Sequence, residues 1–524
     1  MRQWGNRFRE KGMLLLLAGI LCVYFGAICL INVSGRPSFY CTDMYADMLF
    51  AAKAWEQKSL VPEGWLFGNQ LYVVATPALA ALYCGIVSNP QIAMALAAVT
   101  MTILILVSFL WMLKGVFSFE GDKLLCMVLF LAFGLYFGDS VGTVNGWQLF
   151  FTMCAYYGCY LLNVLLAFGC YLRADGNAGR SFRAVLAFTC ILSFGTGMQS
   201  LRQTAVMSVP LMAMGFMQLL TDLRKKENWK RPSFFTAVLI SGMNGAGLLF
   251  QKTVEFEQTE IFGQLGLVKP SQVVPSVGES FGTMLELLHC ETGASVVLRF
   301  VILVLSGFAA AELYLRKRRG EDGKAFSLGT LLLLSVLAIF AIDVVTTLEV
   351  RSIYYFMFYL LTAFLCAYGF SKRRELLRWL FLTAMILVLI LPGMLALKDI
   401  CMQAYFAKYD PIYGVSDYLL EEGYDTVYAA WNMGEEIAVA SEFQIKAGFW
   451  DEGIFVPVTY LCDPVVYTAD ADSCAYVLFG EESAVLAEQA AEAKGVMMSL
   501  VRYFPDSNAY IYTASENLMQ KVSE

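Results

Sequence analysis

The sequence of 524 residues is 58% apolar and 15% charged, with a mean hydropathy of +0.60. An average soluble domain has about 45–50% apolar and about 25% charged residues, so the composition predicts a polytopic membrane protein rather than a soluble enzyme. The formal net charge of −7 combines a membrane part with basic loops and an acidic C-terminal part. No basic stripe with interleaved aromatic residues occurs, so no nucleic-acid partner is expected.

The chain begins with a basic segment followed by an apolar run, Met13–Ile31, that is long enough to cross a bilayer. This run is longer than the apolar core of a signal peptide, and no small-residue cleavage site follows it. We therefore predict a retained first span, with the N-terminus in the cytoplasm and the polar loop of residues 32–70 outside the cell.

Later clusters of arginine and lysine mark the cytoplasmic loops, because positive charge is enriched on that side. The clusters lie at Arg173–Arg183, Arg224–Arg231, Arg316–Lys324 and Lys372–Arg378. Pairs of spans separate them, with outer turns at 195–203, 251–291 and 346–351. A last span at Trp379–Leu397 then leaves the C-terminus outside the plasma membrane.

The count of spans before Arg173 is open. Five apolar segments precede this residue, an odd number, although two cytoplasmic loops must be separated by an even number of spans. One segment therefore fails to cross, or one forms two spans, and the predicted total is 11 or 13. The five segments are Met13–Ile31, Leu71–Val87, Ile92–Leu113, Leu124–Gly138 and Trp147–Leu172.

The first outer loop carries two carboxylates, Asp43 and Asp47, at a spacing of one helical turn. Two interpretations are open. Either Thr42 or Asp43 caps an interfacial helix whose first turn favours an acid, or one carboxylate is a general base at a membrane–water active site. The amphipathic stretch Met48–Lys58 predicts that Asp47 is held at the interface.

Further polar groups recur on the outer side of the predicted spans, where ionisable side chains are costly and usually line a cavity or pathway. They are Trp65 in the first loop; Asp139 and Asn145; Gln199, Arg202 and Gln203; and Asp343, Glu349, Arg351, Tyr354 and Tyr355. The outer loop 251–291 adds glutamates and a predicted interfacial helix at Ser280–His289. The sole histidine, His289, is expected to be an ordinary polar residue.

Residues 401–524 differ in composition from the membrane part, residues 1–400, because charged residues reappear and short segments alternate. The pattern predicts a small α/β domain outside the cell. Its predicted helices are Val415–Glu422, Met433–Glu442 and Glu481–Lys494, and its predicted strands are Asp425–Ala430, Gln444–Trp450, Tyr460–Tyr467, Ala475–Phe479 and Ala509–Thr513. Cys462 and Cys474 either pair there or remain two free thiols, and no cysteine spacing indicates a metal site.

The order of these features resembles the GT-C class of membrane glycosyltransferases, which take a sugar from a polyprenyl-phosphate lipid. In that class the first outer loop follows the first span, carries an acid that activates the acceptor, and continues into juxtamembrane helices. Thr42–Asp47, Met48–Lys58 and Leu60–Trp65 look like that loop, and Arg351 with Tyr354 is similar to the Arg/Tyr segment before a late span. The resemblance implies a polytopic α-helical fold of GT-C type with a C-terminal extracytoplasmic α/β domain.

The resemblance also implies a reaction. A sugar would move from a polyprenyl-phosphate lipid to a cell-envelope glycan or lipid acceptor on the outer face of a bacterial-type plasma membrane, with inversion at the anomeric carbon. Asp43 would be the base, Arg202 and Arg351 would contact the phosphate, and Trp65 or Tyr354 would stack on the sugar. The residues expected to contact substrates are Asp47, Trp65, Arg202, Glu349, Arg351 and Tyr354.

The acids depart from the pattern of some members of that class. Met44 follows Asp43, so there is no Asp-Glu pair, and the second outer loop offers only Asp139 where some relatives carry two acids for a metal. No metal site is therefore assigned, Asp139 is the one candidate ligand if a divalent metal binds, and no other cofactor is expected.

Two other functions remain open. A transporter or flippase of lipid-linked glycans would use the same buried charges along a pathway, although transporters often contain related halves and no repeat is evident here. A non-catalytic subunit of envelope assembly would keep the scaffold alone. An enzyme should bring Asp43, Arg202 and Arg351 to one outward cavity, whereas a transporter should have a polar path that reaches the inner side.

Overall fold

The fold is taken from a computed structural model that describes residues 2–34, 42–68, 71–137, 157–176, 179–224, 231–257, 266–288, 293–347, 352–406, 409–430, 433–451 and 455–523. The side chain of Asp43 lies outside this description. The helices of the first four-fifths of the chain are α1 Arg2–Ser34, α2 Thr42–Gln57, α3 Thr76–Tyr83, α4 Pro90–Leu113, α5 Glu120–Phe137, α6 Gly158–Ala174, α7 Arg180–Gln199, α8 Val209–Arg224, α9 Pro232–Gln251, α10 Val273–Glu286, α11 Gly293–Arg318, α12 Gly323–Val345, α13 Met357–Ser371, α14 Glu375–Met385 and α15 Leu391–Phe406.

Nine helices within the described ranges are long and apolar enough to cross a bilayer. Two of them include a π-helical turn, Thr204–Ser208 before α8 and Ile386–Ile390 between α14 and α15. A multi-pass helical membrane protein is thus confirmed. The helix α7 ends at Gln199, inside the turn predicted at 195–203, and α12 ends at Val345, just before the turn predicted at 346–351.

The segment Leu71–Val87, one of the five apolar segments before Arg173, contains no helix of spanning length. Only Thr76–Tyr83 is helical there, and α3 with its 8 residues is too short to cross a bilayer. Residues 71–75 are not helical, and Pro77 stands in the first turn of the helix. The total number of spans stays a prediction.

The interfacial helix of the outer loop 251–291 differs from the prediction. It begins at Val273 and ends at Glu286, preceded by a 3₁₀ turn at Pro270–Gln272, whereas the sequence predicted Ser280–His289. The predicted start was wrong, because Val274, Val277 and Phe281 supply an apolar stripe at helical spacing that already begins at the first turn of the observed helix. His289 lies outside the described residues.

The C-terminal part folds around one five-stranded sheet. Its strands are β1 Thr426–Ala430, β2 Lys446–Trp450, β3 Cys474–Phe479, β4 Met498–Phe504 and β5 Ala509–Ala514, and its helices are α16 Ile412–Glu421, α17 Met433–Ala440, α18 Glu481–Ala493 and α19 Leu518–Ser523. The strand order is β2-β1-β3-β5-β4. β1 pairs in parallel with β2 and β3, with Tyr428 opposite Gly448 and Tyr476, and it is buried along its whole length.

Two elements of this part were predicted wrongly. Tyr460–Tyr467 is not a strand, because Asp463 caps a 3₁₀ turn at Pro464–Thr468 through a hydrogen bond from the Val465 N–H of 3.1 Å, and Pro464 has no N–H for a ladder. Strand β4 was missed, since this edge strand is mostly exposed and lacks an alternating pattern. Cys462 and Cys474 are buried free thiols, and burial raises the pKa of Cys474 to about 11.

Helices α7 and α9 approach each other through small residues. A Cβ added at Gly197 would lie 2.2 Å from the carbonyl oxygen of Asn244, and one added at Gly247 would lie 2.1 Å from that of Phe194. Neither oxygen can rotate away, because both belong to helical backbone. This close packing positions the end of α7, where Arg202 follows.

We expect Gly247→Ala to destabilise the protein by about 1–3 kcal/mol, because the added methyl group overpacks this contact. The thermal unfolding temperature in detergent should fall by several degrees, measured by a dye or scattering assay. Gly242→Ala on the same helix is the control, since its added Cβ meets nothing within 4 Å and alanine favours helix. An equal loss of thermal stability in both variants would contradict the close contact between α7 and α9.

Candidate active site

The two acids of the first outer loop lie on one helix. α2 runs from Thr42 to Gln57, so Asp43 and Asp47 are one turn apart on its first two turns, as predicted. Asp47 is 0% exposed, and its neighbours Met44, Tyr45 and Met48 are also buried. Asp47 is therefore enclosed by protein, and its position at the membrane interface stays a prediction.

The burial of Asp47 has a structural cause. α2 lies against α3 and α4 on one side and against α17 of the sheet domain on another. Leu49 of α2 packs against both hydrophobic cores, that of the helical part and that of the sheet domain. The first turns of α2, which was predicted to be an interfacial helix, are thus enclosed by protein. Burial of a carboxylate costs free energy.

An aromatic cluster follows α2. The Phe50 ring makes edge contacts with Trp65 at 5.8 Å and with Tyr72 at 4.8 Å, and Phe67 meets Phe256 of the loop 251–291 at 5.6 Å between ring centroids. Trp65 is 3% exposed, so its ring is closed to solvent in this arrangement. The proposed stacking of a sugar on Trp65 would need the ring to be uncovered.

Arg202 contacts two neighbouring tyrosine rings. Its guanidinium carbon is 4.5 Å from the centroid of Tyr354 and 5.0 Å from that of Tyr157, and the centroids of the two rings are 6.0 Å apart. Cation–π contacts with both rings restrict the orientation of the planar group. Arg202 and Tyr354, both predicted as site residues, thus come together although they are far apart in the sequence.

Local structure on each side fixes this pair. The backbone N–H of Arg202 donates to Ser200 Oγ at 3.1 Å, and the π-helical turn that follows is tied to Asn244 through the Thr204 hydroxyl at 2.7 Å. π-turns inside helices frequently mark functional sites. On the other side, the Tyr355 hydroxyl donates to Asp343 Oδ2 at 2.7 Å, which anchors the 3₁₀ turn Ser352–Tyr355 that carries Tyr354.

A hydrogen bond links the loop after Trp65 to the turn that carries Arg202. The Val74 N–H donates to Gln199 Oε1 at 2.5 Å, and the amide of Gln199 donates to the Tyr160 hydroxyl at 3.5 Å. Gln199 and Gln203 are 0% exposed. These two glutamines, predicted as outer polar groups, therefore serve the packing around the site rather than an open surface.

Several predicted site residues lie outside the described residues: Asp139, Asn145, Glu349 and Arg351. Within the described ranges, no three His, Cys, Asp or Glu side chains are placed to hold a metal ion. Tyr157 was missed, because it falls inside the apolar segment Trp147–Leu172 and nothing in its spacing distinguishes it from a residue of the span. The ion pair of Lys53 with Asp463 was missed as well.

No protein-family model matches the sequence, and no curated protein matches it. Among solved structures, the crystal structure of ArnT from Cupriavidus metallidurans in the apo state has a TM-score of 0.52 at 10% identity and covers 98% of this chain and 99% of that chain. The chain has the ArnT fold. The structure of ArnT from the same organism bound to undecaprenyl phosphate has a TM-score of 0.48 at 12% identity and covers 96% of this chain and 98% of that chain.

ArnT is a GT-C glycosyltransferase, so the resemblance to that class is confirmed at the level of the fold. The ArnT fold accounts for the helical membrane part and for the small C-terminal sheet together, since the match extends over nearly the whole chain. The number of spans, the side of the membrane on which each terminus lies and the roles of the site residues remain predictions.

Proposed function

We propose that the protein is a membrane glycosyltransferase that moves a sugar from a polyprenyl-phosphate lipid to a cell-envelope acceptor. The observation that carries the proposal is the guanidinium of Arg202 against the rings of Tyr157 and Tyr354, in a chain with the ArnT fold whose helix α2 carries two acids. A fixed cation suits a phosphate leaving group. A carboxylate suits removal of the acceptor proton.

The proposed reaction is a direct displacement. The acceptor hydroxyl loses its proton to the carboxylate of Asp43 as its oxygen bonds to the anomeric carbon. The bond between that carbon and the phosphate oxygen breaks, and the electron pair leaves with the polyprenyl phosphate. Arg202, with Arg351, stabilises the charge that develops on the phosphate, and a single displacement inverts the anomeric centre. Asp47 and Glu349 are proposed to line the same site, and Tyr354 to contact the sugar.

The proposed topology has eleven spans, with the N-terminus in the cytoplasm and the sheet domain outside the cell. Asn89 at the start of α4 donates to Glu442 of the sheet domain at 3.1 Å. At the opposite end of α4, the guanidinium carbon of Arg173 lies 4.1 Å from the centroid of the Trp111 ring. The positive-inside rule assigns the Arg173 end to the cytoplasm, which supports an outward position for the sheet domain and for α2.

An apolar groove beside α2 supports a long-chain lipid donor. Its volume is about 460 Å³, and residues of α2, α3, α4, α6 and α7 line it. Lys58 on the rim is the only charged side chain among the described lining residues, and its ammonium group lies 2.9 Å from the centroid of the Trp55 ring. The groove also reaches Val74, whose backbone N–H donates a hydrogen bond to the side chain of Gln199, three residues before Arg202.

A bulky side chain placed in the groove tests whether the groove binds the lipid chain of the donor. We expect Leu104→Trp to raise the KM for a long-chain donor about tenfold, the effect of about 1.4 kcal/mol in binding, and to leave the KM for a two-isoprene donor nearly unchanged. Val107→Trp is the control, because Val107 lies on the same helix, is 62% exposed and does not line the groove. Equal effects on both donors would contradict a chain-binding groove.

A further inference from the structure

The sheet domain is joined to the segment that continues from α2. Lys53 of α2 forms an ion pair with Asp463. Farther along, the Leu66 N–H donates to the carbonyl oxygen of Cys462 at 2.9 Å, as part of an isolated antiparallel bridge. Gly68 lies under the ring of Tyr460, and an added Cβ would be 2.7 Å from the ring. Residues 53–68 are thus attached to residues 460–463 at three points.

The carboxylate of the ion pair is held in place by a second contact. Asp463 also caps the 3₁₀ turn that follows it, so its carboxylate has a fixed position. The Lys53 side chain is 15% exposed and that of Asp463 is 37% exposed. Gly64 lies next to the pair and has a φ of +70°, a backbone conformation that favours glycine. In the part of the chain that the structure describes, no other ion pair joins this loop to the sheet domain.

The same face of α2 contributes apolar contacts. Leu49 packs against the core of the sheet domain, whereas its neighbours Met48 and Phe50 belong to the core of the helical part. α17, which also packs against α2, carries Glu436, whose pKa burial raises to about 8.

From these contacts we propose that Lys53 and Asp463 are positioning residues, through which the sheet domain fixes the place of α2 and of its acids. The inference rests on the proposed function for its effect on activity. An ion pair acts here on a helix that is only 16 residues long and carries the acids in its first two turns. Small displacements of a reacting group lower reaction rates steeply. Loss of an attachment point on α2 should therefore lower kcat.

A charge exchange tests the proposal in the full-length protein. We expect Lys53→Asp and Asp463→Lys each to lower kcat about tenfold, with the KM for the donor nearly unchanged, because they loosen α2 without touching the donor. The double exchange Lys53→Asp with Asp463→Lys restores the pair with reversed charges, and it should return kcat to within about threefold of the natural protein. Controls are Glu56→Lys on the exposed face of α2 and Asp470→Lys on the sheet domain, both expected to be neutral.

A second measurement separates this inference from the proposed function. Hydrogen exchange of the α2 amides should be faster in both single variants and normal in the double exchange, whether or not a donor has been found. Unchanged exchange in both single variants, or no recovery in the double exchange, would overturn the ion pair as an attachment. Faster exchange with unchanged kcat would overturn its positioning role. Absence of transfer by the natural protein would refute the proposed function alone.

Discussion

Replacement of Asp43 by asparagine is expected to lower kcat for sugar transfer at least about 100-fold, since a general base contributes about 10²–10⁴-fold. Asparagine keeps the shape of the side chain and cannot take the acceptor proton. The affinity for the lipid-linked donor should be nearly unchanged, because the proton leaves the acceptor and the donor phosphate contacts other residues. Turnover and donor binding, measured separately on purified protein, check both statements.

Asp47 should behave differently from Asp43. The helical spacing places the two acids one turn apart, but Asp47 is 0% exposed, so its loss should affect packing more than proton transfer. We expect Asp47→Asn to retain measurable turnover and to unfold at a lower temperature. Glu56→Gln, an exposed acid on the same helix, is the control. Equal loss of kcat in both Asp variants would indicate an acid pair acting as one unit, and full activity in Asp43→Asn would eliminate it as the base.

Replacement of Arg202 by lysine is expected to lower kcat about 100-fold, close to the effect of removing a transition-state donor in other enzymes. Lysine keeps the positive charge but has no planar group to pack against the rings of Tyr157 and Tyr354. The leaving phosphate would then face a mobile cation. Arg202→Gln should be at least as slow, since it also removes the charge.

Variants of Tyr354, one of the two tyrosines that contact Arg202, provide the matched control. Tyr354→Phe keeps the ring and should retain most of the activity, whereas Tyr354→Leu removes the aromatic face and should approach the rate of Arg202→Lys. Steady-state kinetics with a fixed lipid-linked donor compare the four variants. Near-normal turnover in Arg202→Gln would show that the phosphate is bound elsewhere.

Much of the fold could be predicted because bilayer physics constrains it strongly. Long apolar runs, such as the one in α4, are detectable by length alone, and basic clusters mark the inner loops. The short α3 could not be separated from a span by composition, because Leu71–Val87 is apolar throughout while only Thr76–Tyr83 is helical. In the sheet domain, the buried strand β1 was predictable, whereas the exposed edge strand β4 had no apolar pattern to reveal it.

The site was predicted less completely for a different reason. Arg202 and Tyr354 stood out as polar residues at membrane depth, and the structure brings them together. The burial of Asp47 comes from packing of α2 against other parts of the chain, and contacts between distant parts of the chain leave no local trace. Tyr157 and the partnership of Lys53 with Asp463 were hidden for the same reason.

The proposed function is tested most directly by following the label from a set of polyprenyl-phosphate sugars incubated with the purified protein in vesicles that contain envelope acceptors. We expect that, for at least one donor, the labelled sugar appears on an acceptor while free polyprenyl phosphate accumulates in equal amount, and that Asp43→Asn abolishes both products. Movement of the intact labelled lipid between leaflets, with no cleavage of the bond between sugar and phosphate for any donor, would refute sugar transfer and indicate a flippase.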